Sequence, residues 1–224
     1  MEKTPGLWMS DLKFAKKEIE VIGELLEHAS VSTITLETPT KIQVLNELPR
    51  CKVIHFAGHG KSHPTDPSKS SLLLNDWQQN PLTVEDLMAM KLHQNPPFLA
   101  YLSACSTGDN KVNELLDEGI HLMGACQLAG FRNVIGSLWE VSDRHCVQVA
   151  NDVYDAMIMA KMTDQSVPLG LHNAVINLRG GHPCTSGTST ISAARNARVV
   201  EIVTDPENSI MDPRIWAAYI HMGI

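Results

Sequence analysis

The 224-residue chain has few cysteines, few aromatic residues and no excess of positive charge. Its five cysteines form no Cys-x-x-Cys pair, so the sequence favours reduced thiols over a disulfide framework or a zinc ribbon. The formal net charge of −7 argues against a nucleic-acid or anionic-membrane surface. No run approaches the roughly 20 apolar residues of a spanning helix, and no apolar signal-peptide core follows Lys3. We therefore predict a cytoplasmic globular protein that binds neither nucleic acid nor membrane.

The length and composition predict one domain spanning residues 1–224. Hydrophobic residues make up 43% of the chain and charged residues 19%, which is enough apolar material for a buried core. Residues 179–195 are rich in Gly, Ser and Thr and interrupt the pattern on either side. We interpret residues 179–212 as an insertion or mobile loop within the domain.

Short apolar runs alternate with amphipathic stretches along the chain. The runs typical of strands are residues 31–36, 53–57, 72–74, 98–102, 133–138 and 215–221. The stretches typical of helices are residues 12–28, 40–48, 119–128 and 169–178, with two more that begin at Thr83 and at Ser142 or Asp143. Asp86 stands three residues after Thr83, where it completes a capping box. The alternation predicts an α/β fold with a mostly parallel sheet covered by helices.

Two polar runs carry the functional signal, and each follows a predicted strand. Residues 55–60 read HFAGHG, and residues 102–108 read LSACSTG. The carboxyl ends of parallel strands meet at one edge of a sheet, where open α/β folds build their sites. That edge would receive the imidazole of His59 and the thiol of Cys105, which together suffice for nucleophilic cysteine catalysis.

Small residues surround both groups. Gly58 and Gly60 flank His59, so we predict a tight turn that exposes the Gly60 amide to an oxyanion. Ser103 and its small neighbours leave room for a substrate near Cys105. The alternatives are a cysteine buried as a small hydrophobe and a histidine that serves only the turn. The cysteines with neighbours typical of core or helix positions are interpreted as structural: Cys51, Cys126 and Cys146.

The histidine spacing does not predict a metal site. His55, His59 and His63 are spaced by four residues, which would align them on a helix. However, His55 belongs to a predicted strand and His63 to a loop. The Gly-rich run also lacks the Lys and Ser/Thr of a phosphate loop that opens a helix. We predict neither a metal nor a cofactor.

Several segments, taken in order, resemble the CHAT domain, a caspase-like family of cysteine peptidases related to separase. The segments are PGLWMSDLKFAKKEI (residues 5–19), IHFAGHG (54–60), SLLL (71–74), LTVEDL (82–87), YLSACSTG (101–108), AGFRNVIGSLWEVSD (129–143) and IWAAYIHMG (215–223). The resemblance covers nearly the whole chain and is weakest over residues 179–212.

The resemblance implies an α/β/α sandwich around a mostly parallel sheet, and a peptidase that cleaves protein or peptide substrates. It implies that His59 is the catalytic histidine, Cys105 the nucleophile, and the amides of Gly60 and Cys105 the oxyanion donors. It also implies that Trp139 and Asp143 shape the substrate pocket, with a packing Trp and a helix-capping Asp as equal alternatives. Because CHAT domains often adjoin helical repeats of the TPR type, such a repeat is the expected partner or fusion domain.

The resemblance leaves activity and specificity open. CHAT domains carry an apolar strand before the PGL segment, and no such run precedes Pro5. We therefore expect a sheet that lacks its first strand and is marginally stable or associates through an exposed edge. An inactive interaction module and a small-molecule thiol hydrolase are the alternatives to a peptidase. Asp143 favours a basic side chain before the cleaved bond, whereas Arg132 and Arg144 would favour an acidic one.

Overall fold

A computed structural model describes residues 12–61, 63, 65–106, 118–139, 141–180 and 212–223. The helices in these ranges are α1 (Ala15–His28), α2 (Lys41–Glu47), α3 (Val84–Ala89), α4 (Glu118–Ala129), α5 (Asp143–Met159), α6 (Ser166–Gly180) and α7 (Pro213–Trp216). The strands are β1 (Val53–Lys61), β2 (Ser71–Leu72), β3 (Leu82–Thr83), β4 (Leu99–Ser106), β5 (Asn133–Ser137) and β6 (Tyr219–Gly223). Among the helices described, none combines the length and the apolar character needed to cross a membrane.

The described strands form one sheet in the order β3-β2-β1-β4-β5-β6. The central strands β1, β4 and β5 run parallel to one another. Both outer parts are antiparallel, because β2 pairs with β1 and β3 in this way and β6 pairs with β5. The chain thus has a mixed α/β fold whose sheet is parallel at the centre and antiparallel at its edges.

Helices pack against both faces of the sheet. On one face, α2, α3 and α4 bury their apolar side chains against Phe56, Ala100 and Leu102. On the other face, α1, α5 and α6 pack against Leu99 and Tyr101. Neighbouring residues of β4 belong to different clusters because successive side chains of a strand point to opposite faces. Both faces of β4 are therefore buried, which is typical of a central parallel strand.

The capping box predicted at Thr83 is confirmed. The Thr83 hydroxyl accepts a hydrogen bond from the Asp86 backbone N–H at 3.2 Å, and the Asp86 carboxylate accepts one from the Thr83 N–H at 2.9 Å. These bonds satisfy donors that the first turn of a helix leaves unpaired, so α3 begins at the next residue. The other predicted helices are also present, with shifted ends.

The strand predicted at residues 31–36 is wrong. This segment contains no strand, and its side chains are exposed, with Ile34 66% exposed. Its β-branched residues alternate as in a strand, but a strand is stabilised only when neighbouring strands take its backbone hydrogen bonds and side chains. No described strand pairs with these residues.

The C-terminal strand is shorter than predicted. Residues 215–221 were expected to form it, but α7 occupies residues 213–216 and β6 begins at Tyr219. The carboxylate of Asp212 accepts a hydrogen bond from the Arg214 N–H at 2.9 Å, which caps this short helix. The insertion predicted at residues 179–212 falls mainly on residues 181–211, which lie outside the described residues.

Candidate functional site

His59 and Cys105 occupy paired positions on adjacent parallel strands. The register of β1 with β4 joins these two residues directly, near the carboxyl end of both strands. Neighbouring strands in a sheet lie about 4.8 Å apart, so the two backbones are within reach of a shared substrate. The sequence prediction that both residues reach one edge of the sheet agrees with this register.

The His59 side chain is buried, with 3% of its surface exposed. Its carbonyl oxygen accepts a hydrogen bond from the Leu73 N–H at 2.9 Å, which ties this part of β1 to the segment after β2. The preceding residue, Gly58, lies against the ring of Phe56, and a Cβ at Gly58 would stand 2.7 Å from this ring. A larger residue before His59 would therefore have to displace that ring.

The tight turn predicted at residues 58–60 is wrong, because β1 continues through Lys61. Gly60 is in register with Ser106 on β4 and with Leu72 on β2, so it lies inside the sheet. Backbone pairing on both sides extends the strand where the glycines alone indicated a bend. The roles of Gly60 and Cys105 as oxyanion donors stay predictions.

A buried polar cluster adjoins the paired strands. Glu18 of α1 is 2% exposed, and its Oε2 accepts a hydrogen bond from the Ser103 hydroxyl at 3.0 Å. Its Oε1 lies 3.0 Å from Nε2 of His55, and Nδ1 of His55 lies 3.2 Å from the Tyr154 hydroxyl. The His55 ring also stacks on Tyr101 with 4.6 Å between ring centroids. Ser103 therefore links this cluster to the strand that carries Cys105.

The sequence analysis missed Glu18, although a signal was present. Glu18, Ile22 and Leu26 are spaced by four residues and lie on one face of α1, and all three are buried. A carboxylate on the apolar face of an amphipathic helix requires a partner inside the protein. That requirement would have pointed to His55 or Ser103, the polar residues of the apolar strands.

A narrow cavity lies between β4, β5, β6 and the start of α5. It has room for about one water molecule. Its lining residues are Tyr101, Leu102, Ser103, Ile135, Gly136, Ser137, Val141, Cys146 and Tyr219. The Tyr101 hydroxyl is fully buried and has no hydrogen-bond partner among the described residues. Burial raises the pKa of Tyr101 well above its usual value, and the nearby Glu18 carboxylate raises it further.

Trp139 and Asp143 follow β5, as predicted. The Trp139 indole donates to the carbonyl of Arg214 at 2.7 Å and packs against the small cluster of Val141, Cys146 and Ala218. These contacts give Trp139 a packing role between the β5 loop and the C-terminal segment. Asp143 is the first residue of α5. The role of Trp139 and Asp143 in shaping a substrate pocket stays a prediction.

The arginine at position 132 lies far from the paired strand ends. Arg132 immediately precedes β5, so it stands at the amino end of the sheet. Its guanidinium lies 3.3 Å from Asp164 and stacks over the ring of Phe98. The expectation that Arg132 could select an acidic side chain is therefore wrong, because the site of Cys105 is at the opposite edge.

Three other cysteines have surroundings that favour the neutral thiol or a packing role. Burial raises the pKa of Cys126 to about 12, which leaves almost no thiolate at neutral pH. Burial and the nearby Glu47 carboxylate raise the pKa of Cys51 above its usual value. Cys146 is buried, and its Sγ lies 3.6 Å from the Tyr219 hydroxyl. Within the described ranges, no group of three or more His, Cys, Asp or Glu is arranged to hold a metal ion.

A comparison with protein families returns one match that covers almost the entire chain. The family is described as CHAT domain, and the match spans residues 2–224. No curated protein matches the chain.

Proposed function

Since the chain belongs to the CHAT domain family, we propose that it is a caspase-like cysteine endopeptidase domain that cleaves protein or peptide substrates. The observation that carries the proposal is the register of β1 with β4, which pairs His59 with Cys105. Helices on both faces of the sheet support a caspase-like α/β/α sandwich as the finer fold. The parallel centre of the sheet supports the same architecture.

The proposed reaction is acyl transfer through a thioester. The Cys105 thiolate attacks the carbonyl carbon of the scissile peptide bond, and His59 protonates the leaving amine as the C–N bond breaks. A water molecule then attacks the thioester, which releases the acid product and returns the thiol. The backbone amide of Cys105 is the proposed donor to the oxyanion of each tetrahedral intermediate.

Two of the other cysteines are poor competitors for a mild electrophile at neutral pH. Cys126 is buried with a pKa of about 12, and the pKa of Cys51 is also raised. A mild electrophile reacts with thiolate, so neither residue competes well at neutral pH. If the electrophile reacts only at Cys105, this would therefore indicate that the surroundings of Cys105 activate its thiol.

The test is labelling by a peptidyl acyloxymethyl ketone, followed by intact mass and site mapping. We expect one label per chain at Cys105, with the rate reduced at least about 100-fold in His59→Ala because the general acid–base partner is lost. Cys51→Ser is the matched control for the thiol, and His172→Ala, at an exposed position of α6, is the control for the histidine. Both controls should label like the unaltered protein.

The contrary outcome is also specific. Slow and equal labelling of several cysteines, independent of His59, would overturn the peptidase and support an inactive interaction module. Label at Cys105 with peptide probes but no cleavage in a peptide library would point instead to a thiol hydrolase of small molecules.

A further inference from the structure

The strand that carries Cys105 loses one of its two neighbours before it reaches that residue. Among the described strands, the register of β4 with β5 ends where Tyr101 pairs with Ile135. The narrow cavity opens between the two strands beyond this point, and Ser103 lines it. The pairing of β4 with β1, in contrast, continues through Ser106. Within the described part of the chain, strand pairing therefore holds the Cys105 end of β4 along one side only.

A buried side-chain contact holds this part of β4 in addition. Ser103 lies two residues before Cys105, and its hydroxyl forms a hydrogen bond of 3.0 Å with Oε2 of Glu18 on α1. Glu18 is 2% exposed, so water does not compete for the bond. The first helix therefore anchors the strand beyond the point where β5 leaves it.

The other oxygen of Glu18 contacts β1. Oε1 lies 3.0 Å from Nε2 of His55, and the His55 ring stacks on Tyr101 of β4 with 4.6 Å between ring centroids. Nδ1 of the same ring lies 3.2 Å from the hydroxyl of Tyr154 on α5. His55 is thus fixed by two aromatic neighbours, and a rigid partner gives Glu18 a defined position.

Glu18 therefore bridges the two strands directly before the proposed catalytic pair. In the register of β1 with β4, His55 is opposite Tyr101, and Ser103 belongs to the next pair but one. Two positions further along, His59 is opposite Cys105. One carboxyl group that contacts β1 at His55 and β4 at Ser103 resists sliding and separation of the strands. A misplacement of about 1 Å between reacting groups can cost about 100-fold in rate, so this resistance matters for the reaction.

We propose that Glu18 is a positioning residue, which bridges His55 and Ser103 and so keeps Cys105 aligned with His59. The inference rests on the proposed endopeptidase function and adds to it a residue that touches neither the substrate nor the reacting atoms. The bridge does not require one protonation state. An ionised carboxylate accepts hydrogen bonds from both partners, whereas a neutral carboxyl, hydroxyl and imidazole can each exchange donor and acceptor roles.

The test is a double-mutant cycle on the full chain with the peptidyl acyloxymethyl ketone, measuring kinact and KI for labelling of Cys105. Glu18→Ala should lower kinact at least about tenfold and leave KI within about threefold, because alignment is lost while probe binding is kept. In the His59→Ala background, the same substitution should change kinact less than about threefold, since no partner remains to be aligned. Partial unfolding would instead lower labelling by the same factor in both backgrounds.

Two further variants separate the bridge from the loss of a carboxyl group in general. Glu18→Gln offers an amide donor and an amide acceptor in the same shape, which suits a hydroxyl and a neutral imidazole. It should therefore recover kinact to within about threefold of the unaltered chain. Glu27→Ala removes an exposed carboxyl group from the same helix and should change kinact less than about twofold.

The outcomes distinguish the two proposals. If His59→Ala leaves labelling of Cys105 unchanged, the endopeptidase proposal fails. If His59→Ala slows labelling but Glu18→Ala does not, or lowers kinact equally in both backgrounds, the endopeptidase stands and the positioning role is overturned. A Glu18→Gln variant as slow as Glu18→Ala also overturns it.

A second variant keeps the proposal testable if circular dichroism shows that Glu18→Ala does not fold. Ser103→Ala removes only the contact of Glu18 with β4 and leaves the contact with His55 in place. It should give the same loss of kinact, confined to the chain that retains His59. An unchanged kinact in Ser103→Ala would contradict the bridge.

Discussion

The carboxylate of Glu18 and the imidazole of His55 meet inside the protein, with 3.0 Å between Oε1 and Nε2. One residue lies on α1 and the other on β1, so the contact fixes the first helix to the sheet. Both side chains are nearly inaccessible to water, at 2% and 8% exposure. If either side chain loses its partner, water cannot reach it to form a replacement hydrogen bond.

The first prediction follows from that burial. Glu18→Ala should lower the free energy of unfolding by about 3 kcal/mol, because it leaves His55 and Ser103 without a buried acceptor. Urea denaturation followed by circular dichroism measures the change. Glu27→Ala removes an exposed carboxylate from the same helix and should stay within about 0.5 kcal/mol of the unaltered chain. Equal small losses in the two variants would show that the buried contact contributes nothing.

The second prediction concerns the coupling of His59 to Cys105. Alkylation of Cys105 by iodoacetamide should rise with pH around a midpoint below the value of about 8.5 typical of a free thiol. In His59→Ala the midpoint should move up towards that value, because the imidazolium no longer favours the thiolate. Rates are read from the mass of the Cys105 peptide across a pH series. Superimposable profiles for the two proteins would show that the residues are not coupled.

The third prediction contrasts two glycines. Gly58→Ala should destabilise the protein by about 1 to 3 kcal/mol, because the new Cβ would stand 2.7 Å from the Phe56 ring. Gly23→Ala, in the middle of α1, should instead stabilise by about 0.5 to 1 kcal/mol, since nothing lies within 4 Å of its Cβ position. Thermal unfolding of both variants provides the comparison. Replacing Phe56 by Leu in the Gly58→Ala background should restore part of the loss.

The fourth prediction is a pH dependence at the start of α3. Burial raises the pKa of Asp86, but hydrogen bonds from Lys41 and Thr83 outweigh it and leave the pKa below the ordinary value of 3.8. The ionised carboxylate therefore stabilises the fold above that ordinary value, and this contribution is lost as the pH falls through the lowered pKa. Asp86→Asn should cost about 1 kcal/mol at pH 7 and nothing at strongly acid pH. A difference that persists at acid pH in urea titrations would contradict this assignment.

The parts of the fold that the sequence predicted well are those whose signal is local. The capping box at Thr83 depends on residues three apart, and the strand that carries Cys105 begins with a continuous apolar run, residues 99–102, of the kind found in buried parallel strands. The side-by-side placement of His59 and Cys105 followed from a general rule about strand ends. These features require no knowledge of distant contacts.

The features that were missed depend on neighbours remote in sequence. Residues 31–36 have the composition of a strand but no described strand beside them, and residues 58–60 have the composition of a turn but lie between β2 and β4. The location of Arg132 depends on the direction in which β5 runs in the sheet, because the residue before a strand lies at its amino end. Glu18 was overlooked because its partners, His55 and Ser103, are brought to it only by the packing of α1 on the sheet.

The antiparallel pairing of β5 with β6 has a consequence for the order of assembly. Tyr219 on β6 lines the cavity beside Ser103, yet it lies near the end of the described chain, far in sequence from its partner Ser137. Contacts between distant segments form late in folding because a long loop must close first. A nascent chain that has already paired β1 with β4 would therefore still have an open cavity. The cavity would be closed only when β6, the last strand of the described residues, docks beside β5.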